Sequence, residues 1–366
     1  MKHLYCLPTV FVVGDDYEII INTTAHGLTY VKVGDNLYHE CIAGIMPSEK
    51  KVFKIRVPQK ELDSAKQYQV IFRRTKKRQT YGSTFYSPES ITLTFKPLEK
   101  TENINIYHLA DVHSQYEYAL KTANYFGDDT DLFILNGDIT ELNLEKDFLD
   151  AYKFLAEIAG GKIPVIFSRG NHDTRGKIAE KYTEYFPCEN NQTYFEFNIG
   201  IFSGVVLDGG EDKVDLGTDY DASKEVPYEL SGINRFSPFR KKQGDFLEKT
   251  TLKNPVKFAV SHICPMMTTD RKGCNHDIER EEFLRWTKAL EKMGVSFMLC
   301  GHDHKAYLLL KDDERNILPH EFPAIVGSKV EKEDLVGTAI IINKDNLYAA
   351  LTDSKHNIRE EFNFEI

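Results

Sequence analysis

No apolar run in the chain approaches the ~20 residues that a helix needs to cross a bilayer. Met1 to Pro8 lack the apolar core of a secretory leader, and Asp15 and Asp16 follow soon after. Cysteine is sparse. The six (Cys6, Cys41, Cys188, Cys264, Cys274, Cys300) form no Cys-x-x-Cys pair and no dense framework. They read as reduced thiols, so the expected location is the cytoplasm, with a secreted form whose leader has been removed as the alternative. Positive charge is not in excess: 56 acidic residues against 46 basic give a net charge of -10. That weighs against a broad basic surface for nucleic acid, and neither a membrane nor a nucleic acid is the expected partner. Internal repeats and low-complexity segments are missing as well. What remains is ordinary globular composition, 41% hydrophobic and 28% charged over 366 residues. That length is large for one core, and two domains are expected.

From Thr9 to about Pro97 the chain shows short β-branched and aromatic runs, namely Val10 to Val13, Tyr17 to Ile21, Lys51 to Val57, Tyr68 to Phe72 and Ile91 to Phe95. Turn signals such as Val33-Gly34-Asp35-Asn36 separate them, and no stretch has helical spacing, which predicts a β-sandwich. Leu98 to Asn103 is charged and lacks periodicity, so it reads as a linker.

Beyond it the pattern changes. Ile163 to Phe167 is a buried-strand run that ends in Ser168-Arg169-Gly170-Asn171-His172-Asp173. Four more apolar runs end the same way. Ile104 to Ala110 leads into Asp111-Val112-His113, Leu132 to Asn136 into Gly137-Asp138, Val256 to Ser261 into His262, and Val295 to Cys300 into Gly301-His302-Asp303-His304. Open α/β sheets place sites at the carboxyl ends of their strands. Strand tips gathered side by side would bring together carboxylate, amide and imidazole donors enough for two divalent ions. Gln115 to Phe126, Leu142 to Ile158, Gly176 to Phe186, Gln243 to Leu252 and Ile278 to Met293 read as helices between the strands. Tyr194 to Leu207 reads as a hairpin, and the runs after Ala306, Gly337 to Ile342 among them, as a meander closing a second sheet.

In this order the five motifs resemble those of the calcineurin-like metallophosphoesterase superfamily, over residues 104 to about 350. The resemblance implies an α/β fold: a four-layer α-β-β-α sandwich over 104–366. Ahead of it stand a small all-β immunoglobulin/fibronectin type III-like sandwich over 1–98 and a linker over 99–103. Leu62 and Tyr68 resemble the tyrosine corner of fibronectin-like domains, with Ser64 in place of the usual Pro, and there the hydroxyl would tie down a sandwich corner. The domain order resembles that of purple acid phosphatases, but Gly137-Asp138-Ile139-Thr140-Glu141 has Glu where those enzymes carry an iron-binding Tyr, and His113 is one they usually lack.

By the same resemblance, one ion is held by Asp111, His113, Asp138 and His304, and the other by Asp138, Asn171, His262 and His302. The two ions are divalent or trivalent, drawn from Mn, Fe, Zn, Ni or Co. Asp138 bridges them, and a hydroxide between them attacks phosphorus. His172 points at the substrate to protonate the leaving oxygen, with Asp173 or Asp111 orienting it. The implied activity is hydrolysis of a small-molecule or peripheral phosphoester, diester or monoester, and His113 leans toward diesters. A nuclease and a non-catalytic scaffold are the alternatives; the scaffold fits poorly, because every donor position is filled.

The remaining polar residues have blander readings. Arg169 and Arg175 read as surface ion pairs. Cys264, Cys274 and His276 lack zinc spacing, Cys300 reads as core, and His108 as a satisfied interior histidine. The basic run Arg73-Arg74-Thr75-Lys76-Lys77-Arg78 reads as a solvated hairpin tip. Selectivity is expected from two long segments, Asp208 to Lys242 and Ile263 to Asp277. In the first, Asp208, Glu211, Asp212, Asp215, Tyr220, Tyr228, Asn234, Arg235, Phe236 and Arg240 are available to a substrate; in the second, Thr268, Thr269, Asp270, Arg271 and Lys272.

Overall fold

The computed structural model describes residues 1–141, 144–212, 235–267 and 280–366, with Lys329 described by its backbone only. The chain opens with β1 (Thr9–Val13), β2 (Asp16–Asn22), β3 (Gly27–Val33), β4 (Asn36–Tyr38) and β5 (Val52–Pro58). A short helix α1 (Gln59–Ala65) leads to β6 (Gln67–Gln79), β7 (Gly82–Phe85) and β8 (Glu89–Thr94). Strands and helices then alternate: β9 (Ile104–Leu109), α2 (Tyr116–Ala123), β10 (Leu132–Asn136), α3 (Glu145–Ala159), β11 (Pro164–Ser168) and the single turn α4 (Tyr182–Tyr185). The second half holds β12 (Phe195–Ile199), β13 (Phe202–Leu207), α5 (Phe236–Leu247), β14 (Val256–Ser261), α6 (Arg280–Met293) and β15 (Phe297–Cys300). It closes with β16 (Ala306–Leu309), β17 (Ala324–Gly327), β18 (Lys329–Glu331), β19 (Asp334–Asn343), β20 (Asn346–Thr352) and β21 (Ile358–Glu365).

These strands make three sheets. The first runs β21-β20-β19-β9-β10-β11-β1-β2-β5 with β18 beside β19, the second β12-β13-β14-β15-β17-β16, and the third β4-β3-β6-β7 with β8 beside β6. Strands β10 and β11 are buried at every position, which is why they read as unbroken apolar runs rather than as alternation. The second sheet divides its side chains by parity. Phe258, Val260, Phe297 and Leu299 join the core shared with the first sheet. Ala259, Met298, Cys300 and Val326 face a separate core with Leu247 of α5 and Phe283, Trp286 and Leu290 of α6. On the far side α2 packs on β9 and β19, and α3 on β1. The order of layers is helix, sheet, sheet, helix, preceded by an N-terminal all-β domain.

That domain departs from the sequence reading in three ways. It contains the helix α1, because Leu62 buries completely on the inner face of about two amphipathic turns, too short for periodicity to register. The Tyr68 hydroxyl does not tie a corner of its own sandwich; it donates to Gly161 O (2.8 Å), 93 residues downstream. The basic run is not a turn. It lies within β6, whose hairpin with β7 turns at Thr80 and Tyr81, beyond the run. In addition, β1 lies parallel to β11, Phe11 opposite Val165, so the domain's first sheet is continuous with the sheet of β9 to β11. In the C-terminal part, Gly337 to Ile342 belongs to β19, antiparallel to β9 in the first sheet, and only β16 and β17 extend the second. Alternation shows that a strand is half buried but not which sheet it joins.

Candidate metal centre

The tips of β9, β10, β11, β14 and β15 converge where the two sheets face each other. Tight backbone geometry holds them there. Asp111 (φ 53°), His113 (45°), Asp138 (52°), His302 (73°) and His304 (52°) all lie in the left-handed region, which costs a non-glycine residue ~1–3 kcal/mol and persists where the surroundings over-determine it. Backbone bonds do so here: His113 N donates to Asp138 O (2.9 Å) and Gly301 N to His262 O (2.9 Å). Two glycines allow the close approach. A Cβ on Gly137 would lie 2.5 Å from the His262 ring, and one on Gly170 would lie 2.2 Å from Asp138 Oδ1. The Gly-Asp and Gly-Asn-His sequences are therefore steric requirements of the site.

Two fully buried carboxylates stand at the middle. Asp138 Oδ2 lies 3.2 Å from His262 Nε2, 3.8 Å from His113 Nε2 and 4.0 Å from His172 Nε2. Asp111 Oδ1 lies 3.4 Å from His304 Nε2, 3.7 Å from His262 Nε2 and 3.9 Å from His113 Nε2. Asp111 Oδ2 accepts from His302 N (2.9 Å) and Asp138 Oδ1 from His172 N (2.8 Å). Three donor groups result: Asp111 with His113 and His304, Asp138 with His262 and His302, and Asp138 with His113 and His172. All seven donors expected from the sequence are brought together, and His172 lies close enough to join them.

Acceptors outside this ring fix the imidazoles. His262 Nδ1 donates to Asn136 O (2.6 Å), and His113 Nδ1 to Glu141 Oε2 (2.6 Å). The outward nitrogen donates a proton to its acceptor, and Nε2 faces inward, where its lone pair would meet a metal. Burial alone would lower the pKa of His262, but Asp138 and Asp111 carry it up to about 10. Burial would raise Asp138, yet His262 and its other imidazole neighbours hold it well below the usual carboxylate range. Such a field is what a small cation answers.

Asn171 tests the fit. Its amide oxygen faces His302 Nδ1 (2.9 Å), Asp138 Oδ2 (3.2 Å) and His262 Nε2 (3.3 Å), while its nitrogen faces Arg175 (3.0 Å). Hydrogen bonding alone would reverse this amide. A cation among those four groups makes the oxygen-inward orientation the favourable one, since oxygen is the only donor an amide offers to a metal. With imidazole, carboxylate and amide oxygen converging, the residues present fit two ions of the kind expected.

The outer residues differ from the sequence reading. The Asp173 carboxylate accepts from Asp138 N (2.9 Å), Gly170 N (2.9 Å) and Thr140 Oγ1 (3.1 Å), so it fastens two tip loops to each other. The carboxylate facing His172 Nδ1 is that of Glu141, at 3.7 Å. Arg169 and Arg175 are ion-paired, but to buried partners: Arg169 to Asp208 (2.7 Å), and Arg175 to both oxygens of Glu211 (2.6 and 2.7 Å) and to Asp212 (3.4 Å). Asp212 in turn faces His302 Nε2 at 3.7 Å. Arg240 is buried on α5 and donates to the carbonyls of Gly209 and Glu211. It builds the loop rather than facing a substrate, and α5 begins at Phe236, so the irregular segment is shorter than expected. Asp215, Tyr220, Tyr228, Asn234, Thr268, Thr269, Asp270, Arg271, Lys272, Cys274 and His276 lie outside the described residues. Asn136 and the orienting role of Glu141 were missed. The only signal for the second was the departure from tyrosine at that position.

Comparison with known proteins agrees with this geometry. The chain resembles in structure the purple acid phosphatase from yellow lupin (Lupinus luteus) seeds, at 11% identity and a TM-score of 0.57 over 99% of this chain and 74% of that one. PhoD gives the same identity and TM-score over 99% of this chain and 90% of its own. At that identity the likeness is one of fold. No curated protein matches in sequence. The model of the calcineurin-like phosphoesterases matches residues 104–306, a span of more than half the chain that runs from the first strand of the site through all seven donors, and the chain belongs to that family of metal-dependent phosphoester hydrolases.

Proposed function

We propose that the centre holds two metal ions bridged by Asp138 and hydrolyses phosphoric esters, with His172 supplying a proton to the leaving oxygen. The observation that carries this reading is the shared position of Asp138, which belongs to two donor groups and meets His262 at 3.2 Å and His113 at 3.8 Å. When bound, such ions polarise phosphoryl oxygens and bring the pKa of water down to ~7. The protein's own part is orientation and proton delivery. His172 is anchored through its backbone to Asp138 Oδ1, and its ring is 27% exposed where His262 is 1% exposed. It therefore stands where an ester can reach it. Burial draws its pKa below the usual histidine range, against the pull of Asp138. The acid role therefore rests on position rather than on pKa: the ring stands at the exposed edge of the centre, and the carboxylates of Asp138 and Glu141 beside it favour its charged form when it takes up a proton. His113, present alongside the other six donors, supports a preference for diesters over monoesters.

The test pairs two variants with elemental analysis. Asp138→Asn should weaken both ions together. His172→Ala should keep both and lower kcat by ~10²–10⁴-fold on an ester with a poor leaving group. Loss of metal from His172→Ala would make it a ligand instead. Hydrolysis surviving exhaustive chelation would end the two-ion reading.

A further inference from the structure

The cations Arg73, Arg74, Lys76, Lys77 and Arg78 have no part in the metal centre. They lie where β6 outruns its sheet. Strand β8 pairs with it over Gln67 to Phe72 and β3 over Gln69 to Arg74, so from Thr75 onward only β7 accompanies it. The result is a two-stranded ribbon, exposed from Lys76 to Thr84, which no core requires. Among the described residues none of the five cations is ion-paired with a carboxylate. The nearby carboxylates are engaged elsewhere: Glu40 with Lys50 (2.6 Å), Glu89 with His3 (2.6 Å), and Glu49 facing His26 at 3.8 Å. Arg73 and Arg74 lie over the rings of Phe85 (5.2 Å) and Tyr86 (3.8 Å) instead.

Apolar side chains crowd the same end of the domain. Tyr81, at the turn, is 101% exposed, and Ile42 and Ile45 are 58% and 59% exposed. Ile42 and Ile45 form a small loop through paired backbone bonds of 2.9 Å each. That loop is tied to the ribbon. Ser48, three residues on, accepts from Thr75 Oγ1 (2.7 Å) through its carbonyl and from Arg78 through its hydroxyl. Of the large apolar residues exposed among the described residues, Leu37, Ile42, Ile45, Tyr81 and Tyr86 all belong to this domain, and only Leu144, Leu310 and Ile358 lie elsewhere.

We propose that this face docks the protein onto an anionic lipid surface. Cations alone would suit any polyanion, but exposed isoleucines gain nothing from a phosphate backbone and much from the headgroup–acyl boundary, where tyrosine also settles. The remainder of the molecule is strongly acidic, since the net charge is -10 despite the ribbon. An anionic surface repels that remainder and leaves the ribbon as the face presented. This departs from the expectation of no membrane partner, which rested on the lack of a spanning run; none of the described helices is long and apolar enough to cross a bilayer, and peripheral docking needs no such helix.

Co-sedimentation of the full-length protein with vesicles tests this without substrate, so its outcome is independent of the esterase reading. Binding is expected to phosphatidylglycerol-containing vesicles at 0.1 M salt, lost at 0.5 M, and absent with phosphatidylcholine alone. Lys76→Ala with Lys77→Ala should weaken it about 30-fold. Ile42→Ser with Ile45→Ser should weaken it at constant charge, and all variants should hydrolyse an aryl phosphate at the parent rate. Failure of the parent protein to bind anionic vesicles would overturn the proposal, as would binding that ignores both pairs of substitutions. Tighter binding to an oligonucleotide than to vesicles, unaffected by the isoleucine changes, would make the partner a nucleic acid and overturn it equally.

Discussion

A single carboxylate shows how much one position decides. Glu141 stands where a purple acid phosphatase would carry its tyrosinate, and it reaches His113 Nδ1 at 2.6 Å and His172 Nδ1 at 3.7 Å. It touches no other expected donor, so its work is to orient two imidazoles rather than to ligate. Glu141→Ala should therefore cost 10–100-fold in metal affinity, the usual range for an orienting partner of a ligand histidine. Titration of the chelated protein with a divalent ion measures it, and unchanged affinity would remove Glu141 from that role. The same residue predicts colour. Iron-loaded protein should lack the intense visible band of a tyrosinate ligand. A strong band that vanished on changing a nearby tyrosine would show a ligand outside the seven.

At the scale of elements, Asn136 ties the two sheets together beneath the site. Asn136 Nδ2 donates to Leu299 O (3.0 Å) and Ser261 O (3.4 Å) of the opposite sheet and to His108 Nε2 (3.2 Å), while its Oδ1 accepts from Ser168 Oγ (2.6 Å). The two carbonyls fix the amide's orientation, so His108 Nε2 accepts and Nδ1 holds the proton, without a partner. Burial brings the His108 pKa down to about 3, so it is a neutral, half-satisfied interior histidine rather than the satisfied one expected from its strand. Asn136→Ala removes a partner from four buried groups, and at ~1–3 kcal/mol for each one left unsatisfied the unfolding free energy should fall by at least about 3 kcal/mol. The Asn136 carbonyl that holds His262 survives the change, and metal affinity should fall less than stability does. Urea unfolding and metal titration of one preparation separate the two. Strand existence and the seven donors were legible because apolar runs ending in Asp, Asn or His leave a local signature. Asn136 was not, because a strand-terminal Asn looks the same whether it caps a turn or bridges two sheets. The partners of Tyr68 and of β19 were hidden for the same reason: each lies far away in sequence, and periodicity carries no information about distant pairing.

Whole-molecule behaviour turns on β1. Val10 to Val13 are fully buried between β11 and β2, so residues 1–98 supply the sheet that holds the metal site with three of its strands. Further links cross the same boundary. Lys54 Nζ donates to Phe186 O (2.6 Å), Arg56 to Cys188 O (2.6 Å), and Lys96 pairs with buried Asp131 (3.1 Å). A chain cut to 99–366 would expose the β11 edge and the apolar face that α3 shares with β1, an invitation to aggregate. The truncated chain should be insoluble or molten, and the full chain should unfold in one cooperative step. The single tryptophan gives a convenient probe, because Trp286 is buried against the second sheet, on the side away from β1. Its fluorescence and the far-UV circular dichroism should change at the same denaturant concentration. Tyr68→Phe, which leaves the Gly161 carbonyl without its donor, should lower both midpoints together, for a loss of about 1–3 kcal/mol in unfolding free energy. A dichroism change that preceded the fluorescence change would mean that the N-terminal strands come away first. A soluble 99–366 chain that bound two equivalents of metal and hydrolysed an aryl phosphate at the full-length rate would make β1 an attachment to the sheet rather than a part of it.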